Sequence, residues 1–382
     1  PQRRYGPIKT LPAAQSRVPP NQHRRVQTHA ACGVVIRIRV LYVNHVSQVS
    51  GAERTLLDLL SALPRSVERR LACPGPEEAP LPRAARDRGV DWVPLRGWRP
   101  HRKPPWRLLA DLLGYRGATR NLLRVVEESS PDLLHANSLP TALLAMGCRN
   151  RPPVLWHARD LRLPEHVVQV LLAQVDRVIA ISQCVAERLV ALAPGEKDKI
   201  AVVYNGVDLA ALDGTPRGDD VLESLGVPTN RPLVGIVAQL VPWKRLDVFL
   251  NAAGQVAKVC EAHFVVLGAD LFGEHRCYGA RLKAHAERLG LKGRVHWLGW
   301  REDAWAIVRS LKVYLHTADS EPLGRAILEA MALRVPCVAP GACGPAEIIE
   351  DGVTGLLFPP GSATGAAEAC LRLLGDTALA EE

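Results

Sequence analysis

Two carboxylates stand eight residues apart in the segment SEPLGRAILEAMA, Glu321 before a glycine turn and Glu329 inside the apolar stretch that follows. The segment reads as a turn at Gly324 leading into a helix. Unpaired N–H groups at a helix start favour anions, so the amides of Leu323, Gly324 and Arg325 form a candidate cradle for phosphate. Carboxylates suit sugar hydroxyls and make poor neighbours for phosphate. With the whole span helical, the acids would lie about 12 Å apart along the axis. That order matches a ligand whose two hydroxyl-rich ends flank a diphosphate, as in a nucleotide sugar. A hydrolase pair fits less well, because glycosidase carboxylates sit roughly 5–9.5 Å apart. The competing structural reading makes Glu321 a complement to the helix dipole and Glu329 a surface residue of an amphipathic helix. The apolar neighbours Ile327, Leu328, Ala330 and Met331 speak against it.

Three further segments offer chemistry at strand ends. In VAQLVPWKRLD, Lys244 falls at the start of a helix, where a cation opposes the helix dipole and makes sense beside a bound anion. Gln239, five residues earlier, can donate a side-chain N–H to the same oxygens. A solvated surface lysine is the alternative. In NHVSQVSGAER, Gly51 precedes a helix and lets backbone approach a ligand closely, although one glycine there also reads as a plain turn. In PVLWHARD, His157 ends a strand, is expected to face a cleft, and could bond a sugar hydroxyl or phosphate. His135 in LLHANS is a weaker candidate, and a structural histidine is the alternative for both. No GxGxxG and no Walker A loop occur. Nor does a His, Asp or Glu cluster with metal spacing, or a DxD in a loop suited to Mg²⁺. The expectation is therefore no metal and no cofactor beyond the co-substrate, with Lys244 and helix dipoles neutralising the phosphates.

These residues need a frame. The chain has 382 residues, too many for one ordinary core. Short β-branched runs alternate with amphipathic helical stretches from Val35. VVIRIRVLYVN, LLHAN, PVLWHA, DRVIAIS and KIAVVYN read as strands, then PLVGIVAQL, HFVVLGA, VHWLG, VYLHTA, PCVAP and GLLFPP. Such alternation predicts α/β folding on parallel sheets. A polar segment divides it into two Rossmann-like doubly wound domains, residues 35–212 and 232–382, joined by a linker with a short helix over 213–231. Residues 1–34 read as a Pro- and Arg-rich disordered tail that carries much of the net charge of +9. The tail could touch anionic lipid or nucleic acid, or be an upstream remnant; no specific nucleic-acid partner is expected. Nine cysteines without a CxxC pair read as small core residues in a reducing cytoplasm. No run of apolar residues is long enough to span a bilayer. Ligand is expected beyond the carboxyl ends of the strands, in the cleft between the two sheets.

SEPLGRAILEAMA resembles the E-x7-E signature of the retaining GT-B glycosyltransferases of family four. The likeness extends from about Val35 through SGAER, DRVIAIS, VVYNGVD, VAQLVPWKRLD, VVLGA, WLGW and GPAEIIEDGVTGLLFPPG, in order. It implies a metal-independent glycosyl transfer with retention, of the hexosyltransferase type, from a nucleotide diphosphate sugar. In such enzymes the acceptor attacks from the leaving-group face and no protein nucleophile is needed. By the same resemblance Gly51 would pack against the donor phosphate and Lys244 would bind the diphosphate. His157 would contact the donor sugar near the reacting centre. Glu321 would bind the transferred sugar, Glu329 the ribose, and Trp300 with Arg301 would lie near the base. Two departures stand out. Gln239 occupies a position where the family often has arginine, and the chain ends at LLGDTALAEE, where members usually continue with a helix crossing back to the first domain, so a C-terminally short chain is expected. The acceptor is unidentified. The basic, aromatic stretch RGWRPHRKPPWR, residues 96–107, is a candidate to hold it or to dock on an anionic membrane face, which would make a cytoplasmic protein peripheral. A nucleotide-sugar epimerase or phosphorylase on the same fold, or a non-catalytic nucleotide-binding protein, remain as alternatives.

Overall fold

The computed structural model describes residues 37–97 and 108–381. The expected basic tail and most of the 96–107 stretch lie outside the described residues. Strands β1 (Ile38–Val43), β2 (Val67–Cys73), β3 (Asp91–Pro94), β4 (Leu133–Ala136), β5 (Val154–Ala158), β6 (Arg177–Ala180) and β7 (Ile200–Val202) build one sheet in the order β3-β2-β1-β4-β5-β6-β7. Strands β8 (Leu233–Val237), β9 (His263–Leu267), β10 (Val295–Gly299), β11 (Val313–Leu315), β12 (Cys337–Pro340) and β13 (Leu356–Phe358) build the other, ordered β10-β9-β8-β11-β12-β13. All neighbouring strands are parallel.

Parallel sheets are covered on both faces, so their strands read as apolar runs. The packing shows why. Leu41 and Val43 join one core while Val40 and Tyr42, alternating with them on β1, join another. On β9, Phe264 and Val266 face one core and Val265 and Leu267 the opposite one. The segment 213–231 carries a helix, Asp219–Ser224, and places Leu222 and Val227 in a core with Val265 and Tyr314.

Strands β2 and β3 go beyond the sequence expectation. VERRLAC has a polar first half, and its last three residues alone are fully buried. The strand DWVP lies at the sheet edge, where a closing proline is tolerated. Cys73, Cys148, Cys337 and Cys370 are buried as small core residues, whereas Cys277 is exposed. Among the described residues no helix is long and apolar enough to cross a membrane.

Each sheet reverses its winding once. From β1 the chain adds β2 and β3 on one side and then returns to place β4 on the other; β8 is flanked in the same way by β9 and β11. Loops leaving adjacent strands at such a reversal diverge and open a crevice at the carboxyl ends. Gly51 follows β1, Lys244 follows β8 and Glu321 follows β11.

Candidate functional site

A cleft of about 400 Å³ lies at these strand ends, lined from both halves of the chain. Gly51, Gln239, Lys244, Trp300, Arg301, Glu321, Gly324, Arg325 and Glu329 all line it.

The turn after β11 is shaped by Gly324, which precedes the helix Arg325–Ala332 with φ 103° and ψ 56°. A side chain is strained there, and a Cβ would come within 2.8 Å of Ile327 Cδ1. Among the described residues the amides of Leu323 and Gly324 donate to no protein acceptor, and helix geometry leaves those of Arg325 and Ala326 without an intrahelical one. At Leu323 the amide alone belongs to the cradle, and the side chain does not line the cleft. It is 1 % exposed and packs with the core of the first half.

Glu321 is buried, and its Oε2 accepts from Lys244 Nζ at 2.5 Å and lies 3.1 Å from His316 Nε2. Burial alone would raise the pKa of this carboxyl; the Lys244 charge and the His316 hydrogen bond overcome that and lower it to about 2. Lys244 sits on a 3-10 turn, Pro242–Lys244, ahead of the helix Leu246–Val256 rather than inside it. Its ammonium lies 4.1 Å from the centre of the Trp243 ring. Glu329, also buried, accepts from Arg325 Nε at 2.9 Å, and Arg325 reaches across the cleft to Asp58 at 2.7 Å and Thr55 Oγ1 at 3.2 Å. Both acids thus face the cleft already paired with cations, an arrangement the spacing did not reveal.

On the opposite wall Ser50 and Gly51 open the helix Gly51–Ala62. Glu53, 2 % exposed, accepts from Ser50 N at 3.1 Å and from Asn44 Nδ2 at 3.2 Å, which fixes the loop after β1. Nothing lies within 4 Å of where a Cβ on Gly51 would project, so the space in front of it is open.

His157 is placed differently from the expectation. It does not line the cleft. It is 5 % exposed, with Nδ1 3.1 Å from both His135 Nε2 and Arg159 Nη2. Burial first, then the Arg159 charge, lowers the pKa of both histidines, His135 to about 3. Both are neutral parts of a buried network that runs from Arg159 through Asn137 to Asn44. A strand covered on both faces buries a terminal side chain whichever way it points, and here Trp156 and His157 are both enclosed. The residue that reaches the cleft from this loop is Asp160, three positions on. It is exposed to solvent. Asp160 and His316 both follow strand ends, so the rule that found Gly51 and Lys244 could have found them. Among the described residues no three His, Cys, Asp or Glu side chains are grouped to hold a metal ion.

Residues 219–382 match the family model for glycosyl transferases group 1, and residues 49–211 match that for glycosyltransferase family 4. A lipopolysaccharide core biosynthesis glycosyltransferase, LpsE of Rhizobium meliloti, is 29% identical over 204 residues, 53% of this chain and 55% of that protein. A D-inositol 3-phosphate glycosyltransferase from a Mycobacterium species (strain JLS) is 33% identical over 193 residues, 50% of this chain and 42% of the relative. These matches span about half the length of the curated relatives. In three dimensions the chain is similar to Anabaena HepE in complex with UDP and glucose, with TM-score 0.77, 25% identity, and 90% of this chain and 92% of that one covered.

Proposed function

We propose, since this chain belongs to the GT-B glycosyltransferases of family 4, that its cleft binds a nucleotide diphosphate sugar and that the protein transfers the sugar to an acceptor with retention. One observation carries this reading: unpaired amides at the Gly324 turn, a lysine and the open face of Gly51 line the same cleft, with a carboxylate on either side. The diphosphate occupies the amide nest and draws on Lys244, which releases Glu321 to accept from sugar hydroxyls. Glu329 accepts from the ribose diol, and Trp300 with Arg301 borders the base. In the transfer the bond from the anomeric carbon to the β-phosphate oxygen breaks while the acceptor oxygen bonds to that carbon on the same face. The acceptor proton passes to the departing phosphate. The complex of HepE with UDP and glucose makes a uridine donor the first to test.

The test is a thermal-shift panel of UDP, GDP, ADP and UDP-glucose, followed by NMR of the transferred linkage. A ligand at a hundredfold its Kd adds about 2.7 kcal/mol of stability, so one diphosphate should raise Tm measurably. An α-linked product from an α-linked donor supports retention. No shift with any nucleotide, or a product of inverted configuration, overturns the reading.

A further inference from the structure

The two halves also meet away from the residues that line the cleft. The helix Gln183–Leu192 follows β6, and its leading amides need acceptors. Ser182 supplies two: its Oγ accepts from Val185 N at 3.2 Å and its carbonyl from Ala186 N at 3.1 Å. The other two are met from the opposite half. Gln183 N donates to Glu347 Oε2 at 2.7 Å and Cys184 N to Glu347 Oε1 at 2.8 Å. Tyr204 Oη, just after β7, donates to the same Oε2 at 2.9 Å. One carboxylate therefore takes three hydrogen bonds, all from the first half.

Glu347 lies on the helix Cys343–Ile348, which is fastened to the Glu321 turn. Gly344 N donates to the Glu321 carbonyl at 3.1 Å. A Cβ on Gly344 would fall 2.2 Å from Leu323 Cα, so the two backbones are in direct contact. A continuous path runs from the amides of the first half through Glu347 and Gly344 to the turn that carries Glu321 and the amide nest.

We infer that Glu347 is a positioning residue for sugar transfer, holding the Glu321 turn in register with the first half of the chain; this rests on the transferase reading above. Every side-chain hydrogen bond of Glu347 crosses to the first half, so its loss leaves the contacts inside the nucleotide half in place and should fall more heavily on turnover than on nucleotide affinity. A misplacement of about 1 Å can cost on the order of 100-fold in rate.

The experiment compares wild type with Glu347→Ala, Glu347→Gln and Tyr204→Phe. UDP affinity is measured by calorimetry, turnover as UDP release from UDP-glucose, and amide exchange by mass spectrometry over 183–186 and 321–331. The expected result is kcat down at least about tenfold in Glu347→Ala, a smaller fall in Tyr204→Phe, Kd within about twofold, and faster exchange in both segments. Faster exchange in 183–186 alone would mean a local helix cap and would overturn the inference, as would unchanged kcat. A wild type that binds no nucleotide counts against the transferase reading, whereas exchange at 321–331 still decides whether Glu347 holds that turn.

Discussion

Glu321 carries a charge that burial disfavours and two partners favour. Its pKa of about 2 lies below the ordinary 4.5, so the ionised form stabilises the fold above pH 4.5 and that contribution is lost as pH falls towards 2. Glu321→Gln keeps the shape and removes the charge. The stability gap between wild type and this variant, followed by urea unfolding, should be flat above pH 4.5 and shrink below it. In the transferase reading the same change removes a charge-assisted hydrogen bond to the sugar, worth about 1.5–3 kcal/mol or roughly 10- to 100-fold in kcat/KM. Wild-type kinetics would remove Glu321 from the site. Glu321 and Glu329 were legible because an acid beside a glycine turn and another among apolar helix residues both defy the default. The failure at His157 has an equally local cause. A strand-end position says which edge of the sheet a residue reaches and is silent about whether its side chain clears the neighbouring strands.

Among the elements, the turn at Gly324 and the start of the helix Cys343–Ile348 are pressed together. Two glycines permit this for different reasons. Gly324 holds a positive φ, so Gly324→Ala should cost about 1–3 kcal/mol of backbone strain. Gly344 has ordinary backbone angles, but its Cβ would enter Leu323 main chain, 2.5 Å from the carbonyl oxygen. Backbone cannot yield as a side-chain tip does, so Gly344→Ala should reach or exceed the roughly 3 kcal/mol upper end of ordinary overpacking. Urea unfolding of the two variants ranks them, and the reverse order would show that the turn is softer than its packing implies. Most strands could be read as apolar β-branched runs because both faces of each sheet are covered. VERRLAC and DWVP could not, since Arg69, Arg70 and the closing Pro94 mask short pairings at one edge.

For the molecule as a whole, alternation along the sequence announced two parallel sheets, but it could not announce how they touch. Arg325 and Thr55 are 270 positions apart and meet across the cleft; no periodicity links them. The neighbouring Arg325–Asp58 pair is partly buried, and Asp58→Asn should cost about 1 kcal/mol. The loss should be smaller in about 1 M salt, where the Debye length is near 3 Å. Equal loss at low and high salt, by urea unfolding, would mean that the contact is steric. One turn before Asp58 on the same helix, the Arg54 guanidinium lies 5.3 Å from the Trp305 ring centre. Trp243, Trp300 and Trp305 all border the same gap, and the chain has eight tryptophans in total. Among the described residues, three indoles therefore look onto the place where the halves part. The molecule carries its own optical gauge, and parting or filling of the gap should register in ultraviolet emission without an added dye.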